Sequence, residues 1–144
     1  MTTCIESGHL PYTTSQLFDL VADVERYPEF LPWVIEARIR RRTDQALLVD
    51  MTIAAGPIRR RFSSTGVLHR PSRIDISSDD PIFERFEQRW RFESVGDGSN
   101  IVYCVDFRLR SRLLQLVMGA SFADRAAATV AAFRHRANRL YAPS

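Results

Sequence analysis

The sequence predicts an α+β domain in which one long C-terminal helix lies across a curved, seven-stranded antiparallel sheet. Three observations carry that expectation. Short runs of alternating apolar and polar residues fill the stretch from Trp33 to Leu109, with turn-forming residues between them. From Arg112 onward the apolar residues recur every three or four positions almost to the end of the chain. The 144 residues are enough for one domain, residues 1–144 throughout. They are 45% hydrophobic and 26% charged, the balance of a chain that buries a core without needing metals or disulfides.

Residues 4–10 alternate weakly and stop at Pro11, which predicts a first strand. Thr13 and Gln16 then have capping-box spacing, and Leu17, Phe18, Leu20, Val21 and Val24 follow as a helical stripe, so a helix is expected over about 15–24. Pro28 fits the first turn of a second short helix that Pro32 ends, leaving Tyr27, Phe30 and Leu31 on a brief element able to act as a lid. Six strands are expected next, separated by turns at 43–45, 56–57, 71–72, 79–81 and 96–98. In them Ile35, Ala37 and Ile39 oppose Glu36, Arg38 and Arg40, and Ile101 to Leu109 alternate likewise, so one sheet face is apolar. That face needs a cover. The stripe Leu114, Met118, Phe122, Ala126, Val130, Phe133, Ala137 and Leu140 predicts a single helix long enough to supply it, which is the helix-grip arrangement.

No apolar run reaches the roughly 18 residues that span a bilayer, and residues 1–10 lack the basic start and apolar core of a leader. A cytoplasmic protein is expected, with peripheral contact at the inner membrane left open. Cys4 and Cys104 show no metal-ligand spacing and are expected as reduced thiols within strands. All twenty basic residues are arginine, which suits phosphate recognition and equally suits the codon usage of a GC-rich genome.

Catalysis finds little support. His9, His69 and His135 stand far apart in the pattern, no Ser or Cys sits beside a base, and no cofactor or metal motif is present. The chain is therefore expected not to be an enzyme.

The segment LFDLVADVERYPEFLPW (Leu17 to Trp33) resembles the signature stretch of the START-like coenzyme-Q-binding proteins, within the polyketide cyclase/dehydrase-like superfamily. Asp80-Pro81-Ile82-Phe83 leading to Phe86 and Trp90-Arg91-Phe92, then Ala132 to Tyr141, extend the resemblance over nearly the whole chain. Asp80 and Ile82 depart from the family's Gly-Pro-Phe turn, and Arg134-His135 from its usual ending. The resemblance implies a START/Bet v 1-like helix-grip fold with an apolar cavity, and binding of ubiquinone or a related lipid by a carrier that supports respiratory electron transfer. Bacterial members are also called ribosome-association toxins, which implies a second reading, association with the large ribosomal subunit. Cyclases and dehydrases share the fold, which is a third reading by analogy alone.

The alanines on the last helix (Ala120, Ala123, Ala126, Ala127, Ala128, Ala131, Ala132) either leave volume unfilled or let the helix sit close to the sheet. If a cavity forms, Val21, Tyr27, Phe30, Leu31, Trp33, Phe62, Phe86, Trp90, Phe107, Met118 and Phe122 are expected to line it. A quinone offers only acceptor oxygens, so donors are needed, and Gln88, Tyr103, Trp90 and Trp33 can supply them. Gln88, between Phe86 and Trp90 in phase, is the sharpest candidate. For the ribosome reading, Arg38, Arg40, Arg42, Arg59, Arg61, Arg89, Arg108 and Arg110 form an outward basic set that could meet RNA phosphates, or else pair across strands with Asp50, Asp75 and Asp106.

Overall fold

The structure is a computed structural model that describes residues 2–119 and 122–143, with the side chains of Ala55 and Met118 outside the described set. Strands β1 (Thr2–Leu10), β2 (Val34–Arg42), β3 (Ala46–Ala55), β4 (Ile58–His69), β5 (Arg73–Ser77), β6 (Phe83–Val95) and β7 (Gly98–Leu109) form one sheet. Its order is β1-β7-β6-β5-β4-β3-β2, antiparallel throughout. This is the expected meander, closed on one side by β1. Irregular register at 6–9, 34–36, 39–41 and 83–85 bends the strands, so the sheet curves around what covers it.

Helix α1 (Thr14–Ala22) begins as the sequence predicts. Thr13 Oγ1 accepts from Gln16 N at 3.1 Å while Gln16 Oε1 accepts from Thr13 N at 2.9 Å, which satisfies two otherwise orphaned donors. Leu17, Phe18, Leu20 and Val21 are buried by the face it turns inward. Each large aliphatic or aromatic group so placed stabilises the fold by roughly 1.5–3 kcal/mol.

Three expectations need correction. The second short helix is a 3-10 helix over Val24–Glu29, with Pro28 inside it rather than at its start. The helix starts earlier because Arg26 N bonds Asp23 O at 3.1 Å, so its turn closes upstream of the proline. In β2 the irregular register at 34–36 shifts the phase at the start of the strand, so that Val34 is buried and Ile35 is 39% exposed, while Ala37 and Ile39 face the core as expected. The C-terminal element is described as α2 (Arg112–Gly119) and α3 (Phe122–Tyr141), and residues 120–121 lie outside the described set. Finally, Cys4 and Cys104 are not free thiols. They face each other in the β1–β7 register with Cα atoms 4.1 Å apart and are joined as a disulfide. A lone pair of cysteines in sequence gives no hint that strand order will set them opposite one another.

Helix α3 is the grip. Ala126, Val130, Phe133 and Ala137 are its buried stripe, while Leu140, expected in the same stripe, is exposed. Tyr12 Oη donates to Asn138 Oδ1 at 2.7 Å and Tyr141 Oη to the Gln16 carbonyl at 3.1 Å, fastening its end to the first strand and helix.

Candidate functional site

Between the sheet and α3 lies a cavity of about 200 Å³. That is below the ~300–1,000 Å³ usual for drug-sized ligands but above the ~150 Å³ apolar void known to take up a benzene ring. It accommodates a ring-sized group, and a long tail must lie outside it. The alanine run does not create it. Ala126 lines the cavity, but Ala123, Ala127, Ala128 and Ala131 face solvent and Ala120 lies outside the described residues.

The structure brings Tyr27, Leu31, Trp33, Phe62, Phe86, Gln88, Trp90, Tyr103, Phe107 and Phe122 together around this space. Val21 does not reach it and is packed in the core. Phe30 does not line it either, but forms an edge-to-face pair with Phe133, ring centroids 5.0 Å apart. The Met118 side chain lies outside the described residues. Sequence reading missed β3 and found only Phe62 on β4, although Leu47, Val49, Met51, Ser64 and Leu68 also line the cavity. Their alternation was the available signal, but phase alone does not say how far a strand curls over.

The short element expected to act as a lid is held in place. Tyr27 and Leu31 are buried, and Tyr27, Phe30 and Phe133 interlock as aromatic edges, so the short helix is firmly seated. Glu29 reinforces it by accepting from Arg26 at 3.0 Å and from Arg136 of α3 at 3.1 Å, and these hydrogen bonds hold its carboxyl below the usual range. The 79–81 turn is ordered as well, with Asp80 accepting from Ser63 N and Ile82 N.

The polar groups of the lining include Arg60, Ser64, Arg125 and Thr129 beside Tyr27, Gln88, Trp90 and Tyr103. Tyr27 Oη is already committed to the Val21 carbonyl. Gln88 stands near the Tyr103 hydroxyl and partly offsets the effect of burial on it. Burial pushes the phenols of Tyr27 and Tyr103 well above their ordinary value, so both stay neutral. Trp90 is different. It is 2% exposed, and its indole Nε1 has no hydrogen-bond partner among the described residues. A buried donor left unpaired costs about 1–3 kcal/mol, so such a group calls for an acceptor. The histidines stand elsewhere: His9 beside Asp97 and His69 beside Asp75, both partly exposed, and His135 exposed on α3.

The basic set divides. Arg40 and Arg61 share Asp50, Arg89 pairs with Asp75, and Arg108 with Glu84. Arg38, Arg42, Arg59 and Arg110 are exposed and carry no ion pair among the described residues. Three or more His, Cys, Asp or Glu side chains do not come together as a metal-holding group among the described residues.

A curved sheet gripped by one helix around an apolar cavity defines a START-like binding fold. Comparison with known proteins places it more closely. Residues 10–134 match the model of the family described as polyketide cyclase / dehydrase and lipid transport, and the chain belongs to that family. It is similar to the ribosome association toxin RatA of Pseudomonas aeruginosa, with 33% identity over 98% of this chain and 99% of that protein. It also resembles the mitochondrial coenzyme Q-binding protein COQ10 homolog B of Xenopus laevis, at 27% identity over 94% of this chain and 58% of the relative. The crystal structure of the Zhui aromatase/cyclase from Streptomyces superposes with a TM-score of 0.79 over 99% of this chain and 98% of that one. At 16% identity that likeness speaks to the fold alone.

Proposed function

We propose that this protein is a non-enzymatic carrier that holds the ring of a quinone-like lipid in the cavity and leaves the polyprenyl tail outside it. The observation that supports this reading most is the Trp90 N–H, unpartnered among the described residues, inside a mostly apolar space. It suits a ligand that is apolar over most of its surface and presents a carbonyl oxygen, while a plain hydrocarbon would leave the donor orphaned. The Gln88–Tyr103 pair stands beside it as a second donor source. Transfer rather than chemistry fits the titratable groups, since the two cavity phenols are neutral and the histidines lie at the surface. On this reading respiratory electron transfer is the process served, in a cytoplasmic protein with transient access to the inner membrane.

Organic extraction of the purified protein followed by mass spectrometry tests the reading directly. A bound quinone, or uptake of added quinone with quenching of tryptophan fluorescence, is the expected result. Failure of both, or recovery of a chemically altered quinone, rejects it.

A second reading is favoured by the end-to-end similarity to a ribosome association toxin. Arg38 and Arg42 on edge strand β2 and Arg59 on β4 are free cations that could meet RNA phosphates. Sedimentation of lysate separates the readings: a ribosome binder moves with the ribosome and leaves it steeply as salt rises, whereas a lipid carrier stays at the top of the gradient.

A further inference from the structure

Helix α2 turns three aliphatic side chains to water. Leu113 is 70% exposed, Leu116 73% and Val117 46%, and their i, i+3, i+4 spacing makes one continuous stripe. On its other side Leu114 packs with Phe62, Phe83 and Leu109 and lines the cavity. The helix is therefore apolar on two faces, one toward the ligand space and one toward solvent.

Its attachment is specific. Ser111 Oγ caps it by accepting from Leu114 N at 3.2 Å, and Gln115 Oε1 accepts from Leu109 N of β7 at 2.8 Å. Those bonds fix which face looks outward, so the exposed leucines do not result from a helix free to roll.

The charged residues of the chain segment that carries the stripe are all basic, although Arg108 pairs with Glu84 of β6. Arg108, Arg110 and Arg112 lie in this segment, and no acidic residue occurs between Asp106 and Asp124. Arg110 and Arg112 are exposed with no ion pair among the described residues. Scattered exposed leucines need no explanation, but a helical stripe of them beside free cations and a cavity marks a contact surface.

We propose that α2 is the surface by which the protein docks on an anionic lipid bilayer. Leu113, Leu116 and Val117 enter the boundary between head groups and acyl chains, Arg110 and Arg112 meet lipid phosphates, and the ligand passes beside Leu114. An anionic bilayer uses both halves of the surface, the aliphatic stripe by burial and the arginines by the negative surface potential. RNA would use only the arginines, because its bases are held by stacking aromatics and the stripe offers none. The inference rests on the carrier reading for its purpose, but not for its physics.

Vesicle flotation of the full chain tests it, with vesicles of phosphatidylcholine alone or containing about one third phosphatidylglycerol. The protein is expected to float with the anionic vesicles and to bind the neutral ones at least about tenfold less, with high salt releasing it. Leu113→Ser with Leu116→Ser, and separately Arg110→Gln with Arg112→Gln, are each expected to weaken flotation about tenfold while leaving thermal unfolding unchanged. Both variants should still take up quinone from detergent micelles. Unchanged flotation in the leucine variant overturns the proposal, as does loss of ribosome sedimentation or of self-association in its place. Flotation without any quinone uptake by the natural protein would overturn the carrier reading and leave the docking surface standing. Uptake without flotation would do the reverse.

Discussion

Trp90 stands directly opposite Tyr103 in the β6–β7 ladder, with the two rings tilted at 33° and their centroids 4.2 Å apart. On its other side Trp90 meets the edge of Phe133 at 4.8 Å, so sheet and grip helix hold one indole between them. The ring is thus positioned by packing, and its N–H has no partner among the described residues.

Trp90→Phe removes that donor but keeps an aromatic ring in place. Quinone affinity should fall about three- to tenfold, the value of one hydrogen bond, while a tail of equal length without carbonyls binds as before. Stability should change little, because losing an unsatisfied donor offsets the smaller buried ring. Titration with the two ligands checks this, and equal weakening of both would show that Trp90 contributes area only.

Ala126 is buried on α3 and lines the cavity, so Ala126→Phe should place a ring where the ligand ring would sit. Overpacking of this kind costs about 1–3 kcal/mol, less where a void receives the added atoms. A folded variant with quinone uptake abolished is the expected outcome, read by circular dichroism together with the extraction assay.

The Cys4–Cys104 disulfide closes a loop of sequence separation 100. Cross-linking so long a loop stabilises by about 2–4 kcal/mol in typical cases, largely by restricting the unfolded chain. Reduction, or the Cys4→Ser, Cys104→Ser double variant, should lower the unfolding midpoint by several degrees without loss of the ligand cavity. Thermal unfolding with and without reductant measures it.

Asp50 is buried on β3, where burial raises its pKa, but the hydrogen bonds from Ser63 and Arg61 and the charge of Arg40 outweigh this and hold it below its ordinary value of 3.8. A lowered folded pKa means stability that is present above the unfolded value and lost as pH falls through the folded one. Asp50→Asn should therefore unfold more easily than the natural protein at neutral pH, by about 1–2 kcal/mol. The difference should vanish in acid, below the folded pKa. Urea denaturation of both proteins across that range gives the comparison.

The strand periodicity, the capping box at Thr13 and Gln16, and the change of spacing near Arg112 are local patterns, and from them the sequence alone determined an antiparallel sheet covered by a C-terminal helix. Part of the cavity lining was legible too, because inward phase on β6 and β7 puts Phe86, Gln88, Trp90, Tyr103 and Phe107 on one face. Only the tertiary structure decided what depends on meeting a distant partner. It set Cys4 against Cys104, gave Gln88 its Tyr103, left Trp90 Nε1 without one, and split the arginines into those that found an acid and those that did not. It also shifted the phase of β2 ahead of Ala37, which leaves Ile35 exposed. Periodicity tells which side of an element is apolar, but the residue across from it, and the space left between them, follow from register and curvature, which no single segment contains.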